Sequence, residues 1–389
     1  MLTTNRNNWV DNLRSALTLL VVAHHSSLAY TTFARFNPGH YAASTHPIVD
    51  TARWIGLDIF EDFNDVFFMS LLFLISGLFV RAGLDKKGAG VFVRDRFYRL
   101  FIPFVVGVSV LMPIAYYPSY RVATHGGFGW AYLKDFFIGQ GWPAGPPWFI
   151  WLLFAFNLIV VGVYPLVRGG LARVGDWLAA KSRHSWLIVL GWWVVAWLAY
   201  VPIVLHVEAG SWTGLGPFAF QVSRILLYFC LFLLGVLLGQ TSLERGWFAD
   251  ASPLVKKWAV WVIGALAAYT LLKVCVTPLL RLYVEGEITG LQGSLIYRSI
   301  WILSCTLSSV AFLTLFKRWL GQRRWQSLAE NAYGIYLVHY IFVIWCQYFL
   351  LNYPLPAAAK FLITFSLSVM LSWGLVGLVR RNALVRRYL

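Results

Sequence analysis

LRSALTLLVVAHHSSLAY, residues 13–30, is a poor membrane helix and an equally poor soluble one. Its apolar core is long enough to begin crossing a bilayer, yet Arg14 enters it and two adjacent histidines, His24 and His25, stand near its far end. The surrounding chain of 389 residues is 59% hydrophobic, 17% aromatic and only 12% charged, far more apolar than a soluble domain of that length. This composition reads as an all-α polytopic membrane protein. A hydrocarbon core of about 30 Å needs roughly 20 apolar residues per helix. Runs of that kind fall at 9–31, 62–81, 100–118, 147–166, 185–205, 219–239, 257–280, 294–316, 331–352 and 357–379. These ten spans and their short connections fill the sequence, so residues 1–389 read as one integral-membrane domain.

A net charge of +16 suggests nucleic acid only until the charges are located. Most of them sit in alternate connections. Arg6, the group from Arg81 to Arg99, that from Arg168 to Arg183, Arg245 with Lys256 and Lys257, that from Lys317 to Arg324 and that from Arg380 to Arg387 fall on one side. The other side holds few basic residues, which is the positive-inside pattern. Both termini are therefore expected in the cytoplasm, nucleic acid is excluded as a partner, and the lipid bilayer takes its place. The first run has no small-residue cleavage pattern close behind it and is expected to remain as a helix. Cys230, Cys275, Cys305 and Cys346 each stand alone in apolar runs, and the eight histidines are scattered, so no metal site is expected.

Treated as a helix, the first span is a ruler. Arg14 and His25 fall about 20° apart around the axis and roughly 16 Å apart along it, whereas His24 is turned about 80° from Arg14. Asp11, one turn before Arg14, is placed to pair with it. Ionisable groups inside a membrane are costly and face a bundle interior or a watery cavity. An imidazole, with an intrinsic pKa near 6.5, suits removal of a proton from a hydroxyl at neutral pH.

An Arg, ten residues and a His in the first span resemble the signature of membrane-bound acyltransferase family 3. Later stretches agree: FFMSLLFLISGLF through Ser76 and Gly77, RDRFYRLFIPF through Arg96, Arg99 and Pro103, PPWFIWLLF at Trp148, and ENAYGIYLVHY at Tyr336 and His339. The resemblance covers essentially the whole chain. Within the family, His followed by Ser-Leu-x-Tyr and the lack of a fused extracytoplasmic domain look most like the glucan succinyltransferases. It implies an enzyme of the bacterial inner membrane that moves an acyl group, succinyl or acetyl, from cytoplasmic acyl-CoA to a hydroxyl of an extracytoplasmic glycan. Acyl-CoA is then a substrate, no permanently bound cofactor is implied, and a homo-oligomer is allowed.

The residues supply a geometry for that chemistry. Arg14, Arg96 and Arg99 share the inner interfacial layer, where guanidiniums grip phosphates bidentately, and the thioester arrives near His25 as base or nucleophile. Asp65, the most membrane-proximal of the acidic set Asp58, Glu61, Asp62 and Asp65, is the candidate to orient His25. Arg224, Lys273 and Arg298 fall toward the outer ends of their spans and together suggest a cationic pocket for a substrate carboxylate. Trp148 and His339 join them as substrate-binding candidates. His339 is expected about 12 Å into a span that starts near Asn331. The long outer segments 32–61 and 119–146 are expected to shape acceptor choice. The rival reading is a transporter or flippase, which also uses intramembrane charges but often shows inverted repeats, and none is visible here.

Overall fold

The computed structural model describes residues 7–42, 44–239 and 246–388; Arg6 and Arg245 of the charge pattern lie outside them. Among the described residues the chain is almost wholly helical, with one two-residue antiparallel strand pair, Trp212–Thr213 against Phe220–Gln221, as the exception. Ten principal helices stand where ten spans were expected: α1 Asn8–Ser27, α2 Ile55–Lys87, α3 Ala89–Thr124, α4 Trp148–Ala180, α5 Ser185–Val204, α6 Val222–Leu238, α7 Trp258–Val284, α8 Gly290–Leu320, α9 Gln326–Leu350 and α10 Ala357–Val379. Eight of them are long and apolar enough to cross a membrane, making this a multi-pass membrane protein. The other two are α6, which is apolar but short, and α1, which is interrupted by Asp11, Arg14 and the histidines.

Two shifted starts bear on the site. Helix α2 begins at Ile55 rather than 62, so Asp58 and Glu61 join Asp62 and Asp65 in its first turns. Spacing of three and four puts Asp58, Glu61, Asp62 and Asp65 on one helical face, near an N-terminus whose dipole favours negative charge. Helix α9 begins at Gln326 rather than near Asn331, which sets His339 about 20 Å along it.

Helix α1 is enclosed by α2, α9 and α10, and α2 packs in turn on α6 and α8. The α2–α6 approach depends on glycine. A Cβ at Gly77 would collide with the Phe232 carbonyl, and one at Gly235 with that of Leu74, so the two backbones pass at a separation that only small residues permit. Helix α3 carries Pro103 and Pro113, which cannot donate backbone bonds. It widens into i→i+5 turns at Phe97–Phe101 and Gly107–Leu111.

The first outer segment is fastened rather than loose. Its backbone bonds α1's outer end through Asp50 N–H to the Ala29 carbonyl at 2.9 Å and Trp54 N–H to that of Tyr30 at 3.0 Å. The Asp50 carboxylate, wholly buried, receives the buried Lys360 ammonium of α10 at 2.6 Å.

Candidate active site

Asn12 anchors the site's frame. Fully buried, it donates from its amide to the carbonyls of Leu320, at 2.5 Å, and Arg323, at 2.8 Å, and accepts from the Trp325 N–H at 2.9 Å. Asp11 beside it faces Arg324 at 3.2 Å and Arg14 at 4.0 Å, so the pairing expected of it is shared. These bonds lock the beginnings of α1 and α9 side by side. His25 lies thirteen residues beyond Asn12 and His339 fourteen beyond Trp325, a climb of about 20 Å in each helix. The two imidazoles therefore arrive level.

They stack with ring centroids 5.3 Å apart and planes 30° from parallel, and Tyr340 meets the His25 ring edge-on at 5.1 Å. Gln347, a turn or two further along α9, donates to the His25 carbonyl at 2.9 Å and holds that end of α1. His339 Nδ1 lies 2.7 Å from the Tyr336 carbonyl. A carbonyl only accepts, so Nδ1 carries the proton and Nε2 is left with its lone pair. That Nε2, like Nδ1 of His25, is buried with no hydrogen-bond partner. Two unanswered ring nitrogens on facing histidines make a place for a polar guest.

The same helix sends His24 elsewhere. Its Nε2 lies 3.6 Å from Glu61 of α2, and its ring 5.0 Å from that of Phe68. The angular separation read from the sequence is thus realised as two different neighbours, α9 for His25 and α2 for His24.

Asp65 does not reach His25. It forms a forked pair with Arg224, at 2.9 and 2.5 Å, and the guanidinium also lies over Trp301 at 4.9 Å. Lys273 is paired with Asp62, and Arg298 rests over the ring of Tyr297 at 5.2 Å. The cationic outer pocket expected of these three is therefore corrected. The acidic face of α2 neutralises two of them, because Asp65 and Asp62 lie where α6 and α7 bring Arg224 and Lys273 against it. Trp148 packs among Trp212, Tyr228 and Phe73, while its neighbours Phe149 and Ile150 line the cavity described next.

That cavity, about 690 Å³, lies between α1, α2, α3, α4 and α9 at the ends where the basic connections cluster. Its wall brings together Arg14, Arg96 and Arg99, as expected, and adds Arg380 and Arg386 from beyond α10. Arg99 sits in the wide turn of α3, whose freed Arg99 carbonyl accepts from the Tyr333 hydroxyl at 2.6 Å. Further in, Leu72, Ile75, Phe149, Ile150 and Leu153 line the wall together with the polar Thr18, Ser76 and Asn157, and α9 contributes Tyr336. Tyr336 is one turn below His339. The cavity thus runs from the arginines to Tyr336, whose ring centroid lies 5.9 Å from that of His339.

The profile of a family described as an acyltransferase domain, acyltransferase family 3, matches residues 7–377. The chain belongs to this family. No curated protein and no solved structure matches it. Membership makes the chain a membrane acyltransferase and favours transfer chemistry over a transporter or flippase. The matched region runs from the start of α1 nearly to the end of α10, taking in Arg14, His25, Arg96, Arg99 and His339. Nothing in the sequence marks Asn12, Gln347, Arg380 or Arg386 as site residues: an Asn or Gln in an apolar run announces no partner, and arginines after a last span are expected from topology alone.

Proposed function

We propose that this chain transfers a short acyl group, succinyl or acetyl, from cytoplasmic acyl-CoA to a hydroxyl of an extracytoplasmic glycan, with His25 as the base. The single observation that carries the reading is the continuous course of the cavity from Arg14, Arg96 and Arg99 to Tyr336 beneath the His25–His339 pair. Guanidiniums at one end suit the donor's phosphates; an inner wall of apolar residues with Thr18, Ser76 and Asn157 among them suits its amide-bearing pantetheine arm.

In the direct route, His25 takes the acceptor's hydroxyl proton as the oxygen attacks the thioester carbonyl. The carbon–sulfur bond then breaks, and the same imidazolium returns the proton to the departing thiolate. His339, its tautomer fixed by the Tyr336 carbonyl, presents Nε2 as a hydrogen-bond acceptor toward that space and positions the hydroxyl or the His25 ring. Tyr340 and Gln347 hold His25 at the required angle. Asp65 and Arg224 belong to the frame of α2, α6 and α8 in this reading. The placement implied is the bacterial inner membrane with both termini in the cytoplasm, and a periplasmic glucan is the first acceptor to try.

The test is release of CoA thiol from acetyl-CoA and, separately, succinyl-CoA by the purified protein in detergent, with and without periplasmic glucan. Glucan-stimulated release that vanishes in His25→Ala is the expected result. Release unchanged in His25→Ala removes the base assigned here.

A further inference from the structure

The cavity's wall holds five arginines against two carboxylates, Asp11 and Glu330, and both carboxylates also face Arg324, at 3.2 and 3.5 Å, with Asp11 meeting Arg14 at 4.0 Å. The surplus of positive charge is more than one pyrophosphate requires. Its arginines come in two sets from different parts of the chain. Arg14, Arg96 and Arg99 belong to α1 and α3, whereas Arg380 and Arg386 arrive after α10. The second set brings an aromatic ring with it: Tyr388, at the end of the short helix Ala383–Tyr388, also lines the cavity and meets Tyr98 edge-on at 5.8 Å. That helix packs on the wide turn Phe97–Phe101, next to Arg99. All three residues follow position 377, where the match to the family ends.

Two cations and a ring at the rim of a phosphate-binding cavity have the chemistry of a site for a phosphorylated purine nucleoside. A phosphomonoester is held by forked guanidiniums, and a base lies against an aromatic face with little regard for sequence. We propose that residues 380–388 form the subsite for the nucleotide end of the donor: Arg380 and Arg386 take the ribose 3′-phosphate and Tyr388 takes a face of the adenine. Arg14, Arg96 and Arg99 are left for the pyrophosphate. The assignment rests on the acyl-CoA reading of the same cavity and gives the donor's two phosphate groups separate holders.

The test measures binding and needs no turnover. Adenosine 3′,5′-bisphosphate and adenosine 5′-monophosphate are titrated calorimetrically into the full chain in detergent. Wild type is expected to bind the bisphosphate about tenfold more tightly, the value of one charge-assisted phosphate contact. Arg380→Ala with Arg386→Ala reduces that preference to within about twofold while monophosphate binding persists. Tyr388→Ala weakens both nucleotides alike, and Tyr388→Phe weakens neither. Arg381→Ala, exposed and absent from the cavity wall, keeps the wild-type preference and controls for nonspecific loss of charge. Equal affinity for the two nucleotides in wild type, or an undiminished preference in the double variant, overturns the assignment. Repeating the titration in micelles containing phosphatidic acid separates a nucleotide site from a lipid-headgroup site: lipid that abolishes the preference in wild type also overturns it. A preference for the bisphosphate without any thiol release would instead count against the transfer reading and leave the phosphate subsite standing. His25-dependent release without a preference would do the reverse.

Discussion

His25 and His339 face each other across the α1–α9 seam at 5.3 Å between ring centroids, each with a buried ring nitrogen that no protein group satisfies. If His25 is the base, His25→Ala lowers kcat about a thousandfold, within the usual range for loss of general-base catalysis. His339→Gln keeps a hydrogen-bonding group but loses the stacked ring and the position of its Nε2 acceptor, and it is expected to lower kcat about tenfold with donor KM unchanged. Steady-state thiol release reads both. A rise in donor KM alone in His339→Gln would make that histidine a wall of the cavity rather than a positioning residue.

Asn12 sets the register that brings those rings level. Asn12→Ala leaves the carbonyls of Leu320 and Arg323 and the Trp325 N–H without their side-chain partner, at a cost of about 2–4 kcal/mol. Thermal unfolding in detergent should show it as a clear drop in midpoint. Because Asn12 does not line the cavity, a loss of kcat in the folded fraction would report slippage of α1 against α9.

Asp65 and Arg224 offer a test of frame against chemistry. Arg224's side chain is 9% exposed and that of Asp65 36%, so removing the carboxylate strands a mostly buried cation. Asp65→Asn is expected to cost about 2 kcal/mol, below the 3–5 kcal/mol typical of fully buried pairs because water still reaches the carboxylate. Activity per folded molecule should stay within about twofold of wild type; a hundredfold fall at unchanged stability would return Asp65 to the reaction.

Gly235→Leu tests the close passage of α2 and α6. The added side chain begins where the Leu74 carbonyl already lies, so the helices must separate. The expected penalty is at least about 3 kcal/mol, with Gly235→Ala costing about 1–3 kcal/mol. Detergent-solubilised yield and unfolding midpoint provide the readout.

Lys360→Ala should strand the buried carboxylate of Asp50, costing about 3–5 kcal/mol. The first outer segment loses its fastening to α10. If that segment shapes the acceptor side, acceptor KM rises while donor KM holds. Equal rises in both would assign the segment to general stability.

The helical bundle was legible because apolar runs announce themselves: the ten runs fall on ten helices, eight of them of membrane-spanning length and apolarity. Arg14, His25, Arg96 and Arg99 were legible because an ionisable group inside or at the edge of such a run needs a reason. Partnerships were not. Nothing in the spacing of Asp65 says that Arg224, far along the chain, arrives on its face of α2, so the sequence offers His25 as its partner where the structure pairs it with Arg224. The early start of α2 was hidden because Asp58, Glu61, Asp62 and Asp65 look like a solvated loop until their three- and four-residue spacing is read as one helical face. Arg380, Arg386 and Tyr388 were hidden by a good explanation: basic residues after a last span are expected on topological grounds alone.

The helix bearing the histidines is also the one that lipid tolerates least. With Asp11, Asn12, Arg14, His24 and His25 along twenty residues, α1 has no favourable lodging in hydrocarbon by itself. Asn12 and His25 find their partners on α9 and on the connector before it, some 313 residues further along the chain. Helix α1 is thus synthesised long before α9 and must wait for it before it is fully housed. In the cell, α1 would linger at the insertion machinery or at the bilayer surface, and completion of α9 would both seat it and assemble the histidine pair in one event.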